Sequence, residues 1–431
     1  MSDSKLFSFY TLGCKLNFAE SSYLGKQLIG LGFRKAQKDE LAHICIINTC
    51  SVTEVADKKC RQTIHKVHSE NPNAYIIVTG CYAQLKPKEV SEIAGVNLVL
   101  GSNEKFDIDY YYKFLNEQKV IVRTKEKHQD INNFYGAVSG EDRTRFFLKI
   151  QDGCDYFCTY CTIPFARGKS RSGTITETLQ LAQEAINNGA KEIILTGVNL
   201  GEFGKNNGES FYELIQKLDQ LEGVERYRIS SIEPNLLTDE IIDFIATSKK
   251  FTPHFHIPLQ SGCDEVLKLM HRRYTTDFFK NKIDYIKTKM PDAFIGIDVI
   301  VGTRGETDIY FNKTVQFLEN LNFTQLHVFT YSERQGTKAL NIEYKVPFQE
   351  KKRRNEVLHK LSEQKRIAFY KQNMGSQRSV LWEESKRSST MYGFTENYIR
   401  ISAPYDKTKF NFIEQVVLGD FSDDLLSLKK K

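Results

Sequence analysis

The stretch that decides the architecture of this chain reads Cys154-Asp155-Tyr156-Phe157-Cys158-Thr159-Tyr160-Cys161, and it follows the apolar, strand-like run 146–150. Three thiolates at this spacing can hold three corners of a four-iron cluster and leave the fourth iron without a protein ligand. A structural zinc site would need a fourth ligand nearby, and the neighbouring sequence offers none. The spacing therefore favours a catalytic iron–sulfur site over the alternatives of a zinc knuckle or three buried thiols.

The composition is that of an ordinary globular protein. The chain has 431 residues, 40% of them hydrophobic and 26% charged, with a net charge of +6, which suits two or three domains. We expect no membrane segment and no secretion signal, because no apolar run approaches spanning length and residues 1–5 are not a basic region followed by an apolar one. The nine cysteines fit a reducing, cytoplasmic location with metal ligands better than a disulfide framework.

The first hundred residues alternate strand-like and helix-like runs, which predicts a parallel sheet with crossover helices. Strands are predicted over 7–12, 44–48 and 74–79, and each is followed closely by a cysteine: Cys14, Cys50 and Cys81. Because the carboxyl ends of parallel strands meet at one edge of a sheet, these thiols should converge into a second three-cysteine site. The alternative is three unconnected buried cysteines. The remaining cysteines are predicted to be structural: Cys45, Cys60 and Cys263.

Residues 102–140 are polar and irregular, with a predicted linker over 125–130. Strand and helix patterns then alternate again and predict a partial (β/α)6 barrel, with strands near 146–151, 192–196, 226–231, 254–259, 293–301 and 325–330. Functional residues of such barrels lie at the carboxyl ends of the strands, where the cysteine triplet is also found.

The last part of the chain changes character. A long helix is predicted over 349–374, opening with the basic run Lys351, Lys352, Arg353 and Arg354, which suits either RNA contact or a solvated helix face. Short alternating runs after residue 374 predict a small β-barrel of the size that often binds nucleic acids. Trp382 and Tyr398 could stack on bases there, although packing in the core of the barrel is the more common role of such residues. The predicted domains are therefore 1–120, 140–370 and 374–431.

Around the triplet, the motif Gln151–Gly168 resembles the signature of the methylthiotransferases, a branch of the radical S-adenosylmethionine enzymes. The resemblance covers nearly the whole chain, because three further stretches are similar to family motifs in family order: 196–201, 230–234 and 256–262. The three N-terminal cysteines match the positions of an auxiliary cluster, and the C-terminal barrel is similar to the TRAM RNA-binding domain.

The residues around the first cysteine separate the branches of this family. Gly13-Cys14-Lys15-Leu16-Asn17 is similar to the Gly-Cys-Lys-x-Asn pattern of the branch that acts on threonylcarbamoyladenosine at tRNA position 37. The branch acting on isopentenyladenosine tends to Gly-Cys-Gln-Met-Asn, and the branch acting on a ribosomal protein tends to Gly-Cys-Pro-Lys-Asn. Lys15 therefore favours the first substrate and leaves the other two as alternatives.

The resemblance implies two [4Fe–4S] clusters, one on Cys154, Cys158 and Cys161 and an auxiliary one on Cys14, Cys50 and Cys81. The first would bind S-adenosylmethionine and generate the radical that takes hydrogen from carbon 2 of the adenine, and the second would hold the sulfur. Candidate contacts to S-adenosylmethionine, each of which could equally be a core, cap or turn residue, are Tyr160, Gly197, Asn199, Glu233, Gln260 and Asp298. The implied partners are a tRNA anticodon loop, an electron donor and a sulfur donor.

One loop departs from the family pattern. Gly302-Thr303-Arg304-Gly305-Glu306 has arginine where the family often has proline, which removes a fixed φ from the turn. Two unrelated readings also remain open at this point: an electron-transfer or sensing module with two fully coordinated clusters, and an RNA-binding protein stapled by zinc.

Overall fold

We describe a computed structural model of the chain. It describes residues 5–115, 117, 119–125, 127–140, 144–384, 389–422 and 425–428.

The N-terminal part is a six-stranded parallel sheet in the order β2-β1-β3-β4-β5-β6. Its strands are β1 (Leu6–Thr11), β2 (Arg34–Lys35), β3 (Ile44–Thr49), β4 (Tyr75–Gly80), β5 (Val96–Leu100) and β6 (Ile121–Arg123). Its helices are α1 (Lys15–Gly30), α2 (Glu54–Glu70), α3 (Cys81–Leu85), α4 (Pro87–Ser91) and α5 (Tyr110–Lys113). β3 and β4 are buried along their whole length, which explains why their sequences are rich in β-branched residues and do not alternate with charged ones.

The central part is an open barrel built from two sheets, ordered β12-β11-β8-β7 and β13-β14-β15. A short parallel bridge between Ser231 and His256 connects the sheets. The strands are β7 (Ala137–Ser139), β8 (Arg145–Lys149), β9 (Gln151–Asp152), β10 (Arg171–Ser172), β11 (Glu192–Thr196), β12 (Arg226–Ile229), β13 (His254–Gln260), β14 (Phe294–Val301) and β15 (Gln325–Thr330). The helices are α6 (Ile163–Arg167), α7 (Ile175–Asn187), α8 (Phe211–Asp219), α9 (Asp239–Thr247), α10 (Asp264–Leu269), α11 (Thr276–Lys289), α12 (Asp308–Glu319) and α13 (Phe348–Gln372).

The C-terminal part is a closed barrel in the order β16-β17-β18-β20-β19. Its strands are β16 (Gln377–Glu383), β17 (Thr390–Thr395), β18 (Arg400–Pro404), β19 (Ile413–Ser422) and β20 (Leu425–Leu428). Trp382 is fully buried in its core and donates its indole N–H to Glu414 at 3.0 Å. Trp382 is therefore a packing residue and not a surface for stacking bases.

The C-terminal barrel closes the amino-terminal end of the central barrel. The Tyr398 ring lies 4.4 Å from that of His254 on β13 and 5.4 Å from that of Phe294 on β14. The Arg228 guanidinium on β12 stacks over Tyr398 at 4.8 Å and donates to the Glu396 carbonyl at 3.0 Å. Tyr398 therefore forms a floor for the barrel lumen and is not free to stack on a base.

The predicted fold class is confirmed: an α/β chain with an N-terminal parallel sheet, a partial (β/α)6 barrel and a small C-terminal β-barrel. The prediction of irregular chain over 102–140 is wrong in part, because β6 joins the first sheet and β7 pairs with β8. Both strands are only three residues long, too short for a periodic signal. The predicted linker over 125–130 includes a short 3-10 helix at His128–Asp130, and its residue 126 lies outside the described residues.

Gly80 turns the chain from β4 into the cysteine at the start of α3. Its φ and ψ are 96° and −161°, a region that only glycine occupies without strain. A Cβ at this position would lie 2.4 Å from the Thr49 carbonyl oxygen on β3. The glycine before Cys81 is therefore required by the close approach of two strands, and it fixes where the thiol points.

A buried ion network joins α1 to the central barrel. Glu20 on α1 is fully buried and pairs with Lys105, with Lys149 on β8 at 2.7 Å and with Arg167 on α6 at 3.1 Å. Asp152 pairs in turn with Lys149 at 2.7 Å and with Arg167 at 3.0 Å. The network therefore holds the N-terminal sheet against the strand that carries the cysteine triplet.

The neighbouring cations lower the pKa values of both carboxylates, Glu20 and Asp152. Burial alone would raise the pKa of Glu20, but Arg167, Lys105 and Lys149 outweigh it and hold that pKa well below its usual range. Burial likewise opposes ionisation of Asp152, and Lys149, Arg167 and Arg171 bring its pKa well below the usual range. Because both pKa values are depressed on folding, the network stabilises the protein at neutral pH, and this stability is lost as the pH falls through the folded pKa values.

We expect Gly80→Ala to destabilise the protein by more than about 3 kcal/mol, because backbone strain of about 1–3 kcal/mol adds to the overlap with β3. The matched control is Gly189→Ala, which has φ of 87° but nothing within 4 Å of an added Cβ, and it should cost about 1–2 kcal/mol. Urea unfolding of both variants measures the difference. Equal costs would show that the strand contact at Gly80 is relieved at no expense.

We expect Glu20→Gln to lower the free energy of unfolding by about 3–5 kcal/mol, because it leaves three buried cations with one carboxylate fewer. The control is Glu184→Gln, which removes the more exposed ion pair between Lys26 on α1 and Glu184 on α7 and should cost at most about 1 kcal/mol. Unfolding in urea at several pH values should also show the wild-type advantage shrinking in acid. A Glu20→Gln variant as stable as Glu184→Gln would contradict the structural role of the network.

Candidate iron–sulfur and cofactor sites

The triplet after β8 forms a partly buried loop in which each thiol has a hydrogen-bond donor. The Tyr156 backbone N–H approaches Cys154 Sγ at 3.5 Å, the Ile163 N–H approaches Cys161 Sγ at 3.4 Å, and Arg272 Nη1 donates to Cys158 Sγ at 3.2 Å. Burial, and then the neighbouring Cys158 thiol, raises the pKa of Cys161 to about 12. Thiols held apart from water but surrounded by N–H donors suit cluster ligands, whose sulfurs accept such bonds.

The three N-terminal cysteines come together at the carboxyl edge of the first sheet. Burial, followed by the Cys81 and Cys14 thiols, raises the pKa of Cys50 to about 12. An added Cβ on Gly13 would lie 3.0 Å from Cys50 Sγ, so the loop before Cys14 lies directly on Cys50. Cys50 therefore lies near both of the other thiols, and the second three-cysteine site stays a prediction.

Neither triad has the compactness of a site for a single metal ion. Among the described residues, the one group of at least three His, Cys, Asp or Glu ligand atoms that all lie within 4.8 Å of one another is His256, Asp298 and His327. Four sulfurs around one zinc ion lie about 4 Å apart, since each Zn–S bond is about 2.3 Å. Neither cysteine triad meets the 4.8 Å criterion, so the described thiols do not form a compact preformed site for one ion.

The ion network supplies positive charge to the N-terminal triad. It holds the cations Lys105, Lys149, Arg167 and Arg171 against only the carboxylates Glu20 and Asp152. Burial raises the pKa of Cys81, and Arg167 and Lys105 oppose that rise. The excess positive charge therefore faces thiols that must ionise to bind iron.

The two cysteine loops lie against each other. Thr162, next to Cys161, donates its hydroxyl to the carbonyl of Ser51, next to Cys50, at 3.5 Å. Asn17 fixes the N-terminal loops by donating to the carbonyls of Leu12 at 2.7 Å and Thr49 at 3.0 Å, and its own oxygen accepts from Arg167 at 2.6 Å. The chain therefore places its two candidate cluster sites side by side.

Several of the candidate S-adenosylmethionine contacts lie around the mouth of the central barrel. Asn199 is buried, and neither atom of its amide group makes a hydrogen bond within the described part of the chain. An unsatisfied buried amide costs about 1–3 kcal/mol, so this one is set up for a polar ligand. Gln260, also buried, has a positive φ of 72°, a strain that commonly marks functional positions.

The other candidates have partners within the protein. Glu233 pairs with Arg272, and Asp298 accepts from His256 Nε2 at 2.6 Å. An added Cβ on Gly197 would lie 2.8 Å from Leu200 and 2.9 Å from the Gln151 oxygen, so its role is close packing. Tyr160 packs against Cys263, Val266 and Met270. These four positions remain predicted contacts, and Asn199 and Gln260 carry the stronger structural case.

The four basic side chains at the start of α13 point to different sides of the helix, two of them inward and two toward solvent. Arg354 is fully buried and pairs with Glu306 at 2.8 Å, and Lys351 is buried with its ammonium 3.2 Å from the Tyr331 carbonyl. These two side chains cannot grip phosphates in this structure, so that part of the prediction is wrong. Lys352 and Arg353 are exposed, and the predicted RNA contact narrows to them.

Arg304 replaces the missing proline by contacts of its own. Its guanidinium pairs with Glu333 at 2.9 Å and donates to the carbonyls of Leu340 at 3.2 Å and Ile342 at 2.9 Å. The turn itself uses positive φ values of 73° at Gly302 and 84° at Gly305. The loop is thus held by long-range hydrogen bonds in place of a ring-fixed φ.

Sequence reasoning missed the residues that act through tertiary contacts. Arg272 connects Glu233 with Cys158, and Arg167 connects the ion network with the N-terminal loops. No local pattern marks either of them. The remaining cysteines, Cys45, Cys60 and Cys263, are buried; Cys45 and Cys60 belong to the apolar core of the first sheet, and Cys263 packs with Met270.

The helices of the described residues include none that is both long and apolar enough to cross a membrane.

Two family models match separate parts of the chain. An uncharacterized protein family, UPF0004, matches residues 6–101, which include the N-terminal triad. The radical SAM superfamily matches residues 148–318, which include the second triad.

Full-length relatives are also similar. The threonylcarbamoyladenosine tRNA methylthiotransferase MtaB of Bacillus subtilis is 37% identical, covering 91% of this chain and 89% of its own length. The Thermotoga maritima MtaB is 38% identical, over 90% of this chain and 89% of its own. A tRNA-2-methylthio-N(6)-dimethylallyladenosine synthase of Endomicrobium trichonymphae is 33% identical, over 87% of this chain and 88% of its own.

Among solved structures, the radical S-adenosylmethionine methyltransferase TsrM from Kitasatospora setae, with tryptophan and a SAM analog bound, matches with a TM-score of 0.57 at 12% identity. The match covers 76% of this chain and 73% of that one. This likeness shows the fold alone. Identity above 30% along most of the chain, together with the two triads, shows that the protein belongs to the methylthiotransferase family of radical S-adenosylmethionine enzymes.

Proposed function

We propose that this enzyme adds a methylthio group to carbon 2 of the adenine in threonylcarbamoyladenosine at position 37 of tRNA. The observation that carries the proposal is the contact of two separate three-cysteine loops, Thr162 on Ser51. A sulfur held at one loop would then lie beside the radical-forming site at the other. An electron-transfer module would instead need a fourth protein ligand for each cluster.

The proposed substrate is inferred mainly from the relatives of this chain. Those named for threonylcarbamoyladenosine are 33–38% identical to this chain, and three of them reach 36–38% over about nine-tenths of it, whereas those named for dimethylallyladenosine are 32–33% identical. Lys15 in the first cysteine loop favours the same substrate. Isopentenyladenosine and a ribosomal protein are the alternatives to be tested.

A radical SAM enzyme uses a [4Fe–4S] cluster and S-adenosylmethionine, and when bound these supply a 5′-deoxyadenosyl radical. In this chain Cys154, Cys158 and Cys161 would hold that cluster, and Arg272 would donate to one of its sulfur ligands. The buried amide of Asn199 and the backbone around Gln260 would bind polar groups of S-adenosylmethionine. The protein thereby orients the cofactor and excludes water, as cofactor enzymes generally do.

The N-terminal loops would hold a second cluster on Cys14, Cys50 and Cys81. Arg167 and Lys105 favour the ionised form of Cys81, and Asn17 fixes the two loops that carry Cys14 and Cys50. A separate sulfur donor and an electron donor would act in the cytoplasm, where thiols stay reduced.

Each of the three parts of the chain would have a separate role. Residues 1–120 would hold the auxiliary cluster, 140–370 would form the radical site, and 374–431 would bind RNA as a TRAM-like barrel. Lys352 and Arg353 on α13 would add contacts to phosphates, so binding should weaken as salt rises. A single-stranded anticodon loop can present its adenine unstacked at modest cost.

The two triads should be separable by mutation. Cys158→Ala should abolish cleavage of S-adenosylmethionine to 5′-deoxyadenosine, whereas Cys81→Ala should retain cleavage but lose methylthiolation. Each variant should keep about four of the eight irons expected for two clusters. Iron analysis and product chromatography on anaerobically reconstituted protein measure both effects.

Cys45→Ala is the matched control, because Cys45 is a buried thiol that belongs to neither triad, and it should keep both activities and both iron contents. Cleavage by Cys158→Ala would refute the radical assignment. Full methylthiolation by Cys81→Ala would refute the auxiliary site and leave the first site standing.

The substrate is tested by mass spectrometry of tRNA nucleosides from cells with and without the gene. Loss of the methylthio form of threonylcarbamoyladenosine, with accumulation of the unmethylthiolated nucleoside, is the expected result. If that nucleoside is unaffected while 2-methylthio-isopentenyladenosine disappears, the substrate proposal is wrong. A complementing Cys158→Ala gene should not restore the modification.

A further inference from the structure

Lys15 places a positive charge in the lumen of the central barrel. It begins α1 directly after Cys14, and α1 packs on the open side of the barrel, where Ala19 contacts Phe147 on β8 and Ile194 on β11. The Lys15 ammonium is within electrostatic reach of Tyr398, of Arg145 on β8, of Arg228 on β12 and of its partner Glu192, and of His327 on β15. Strands from both sheets of the barrel therefore surround it.

The other cations of the lumen are already neutralised. Arg228 pairs with Glu192 at 2.9 Å, and Arg145 pairs with Glu383 of the C-terminal barrel at 2.9 Å. In the part of the chain that the structure describes, no carboxylate lies within the 4.0 Å ion-pair distance of the Lys15 ammonium. Lys15 is partly buried, and a partly buried cation without a direct ion pair is costly, so an anionic group of a ligand in the lumen would stabilise it.

The wall around Lys15 carries polar groups. Asp298 on β14 accepts from His256 Nε2 on β13 at 2.6 Å, and the ring of His327 on β15 lies 5.0 Å from that of His256. Asp298 and His327 are direct neighbours in the pairing of β14 with β15. Because Asp298 holds one nitrogen of His256, the other nitrogen and the His327 ring are left for a ligand with hydrogen-bonding groups.

The two nucleosides named for the relatives differ at the N6 substituent of adenine. The threonylcarbamoyl group carries a carboxylate, a hydroxyl and a urea-like linkage, whereas the dimethylallyl group is a hydrocarbon. A lumen with an unpaired ammonium and a His–Asp–His wall matches the first and would leave the second facing unsatisfied polar groups. Sites built this way reject the apolar analogue strongly.

Resting on the proposed function, we propose that Lys15 binds the threonyl carboxylate of threonylcarbamoyladenosine inside the barrel lumen, with His256 and His327 hydrogen-bonding the rest of the N6 substituent. Cys14, the neighbour of Lys15 in the sequence, would then hold the auxiliary cluster next to the adenine base. Lys15 would fix the N6 substituent of the same base. Lys15 is thus a specificity-determining residue of the N-terminal loop that acts within the central barrel.

The test is a binding measurement on reconstituted holoenzyme without S-adenosylmethionine, so that no turnover occurs. Three anticodon stem-loops carry threonylcarbamoyladenosine, its methyl ester, which lacks the negative charge, or unmodified adenosine. Wild-type protein should prefer the free acid over the ester by about 10-fold or more, the range of one charge-assisted hydrogen bond. Lys15→Gln should bind the acid and the ester equally and bind the adenosine stem-loop as wild type does.

Two further variants control for the charge of Lys15 and for its position. Lys15→Arg retains the charge and should restore part of the preference for the acid. Lys217→Gln on α8, an exposed lysine on the outside of the barrel, should keep the full preference. If Lys15→Gln still prefers the acid by the wild-type factor, the assignment of Lys15 is overturned.

Turnover by wild-type enzyme with S-adenosylmethionine separates this proposal from the one it rests on. If wild type methylthiolates the threonylcarbamoyl stem-loop while Lys15→Gln keeps the acid preference, the function stands and only the role of Lys15 falls. If wild type methylthiolates a dimethylallyl stem-loop and leaves the threonylcarbamoyl one unchanged, both proposals fall.

Discussion

The ion network of Glu20, Arg167 and Asp152 is the constraint on which the two sites depend. Each triad lies on loops at the ends of strands, and the strands alone do not fix the position of one triad relative to the other. Arg167 fixes this position because one guanidinium pairs with Glu20 of α1, with Asp152 after β8 and with Asn17 of the N-terminal loops. A transfer between neighbouring sites tolerates little misplacement, so buried, geometrically specific ion pairs suit this position better than apolar contacts.

The ion network alone costs free energy, and the neighbouring thiols of the N-terminal triad can offset part of that cost. Burying several charges costs more free energy than their mutual attraction usually returns, and here the cations outnumber the carboxylates. The thiols of the N-terminal triad, once ionised, would supply the missing negative charge. Stability of the N-terminal part and occupancy of its cysteines are therefore coupled, because each compensates the charge of the other.

The sequence allowed prediction wherever one local pattern decided the structure. The strands before Cys50 and Cys81 are rich in isoleucine and other β-branched residues, and parallel topology then predicts that the cysteines after them lie at one edge of the sheet. Prediction failed where the result depended on direction or on distant partners. Lys351 and Arg354 are three residues apart and lie on one face of α13, about 60° from each other, and both turn inward because the Tyr331 carbonyl and Glu306 lie on that side. Arg272 and Arg167 act only through residues far away in sequence, so no spacing could mark them.

Lys15 shows how a residue in one part of the chain can determine the chemistry of another. The lumen of the central barrel is formed by its own strands on two sides, closed below by Tyr398 of the C-terminal barrel and bordered on its open side by α1. A substrate in this lumen would meet side chains from all three parts at once. An N-terminal loop that contributes both a cluster ligand and a charge to the lumen ties the choice of base to the position of the sulfur. A change of substrate would then require a change at the loop next to Cys14 while the radical site stays the same, which agrees with relatives of both nucleoside types matching this chain over most of its length.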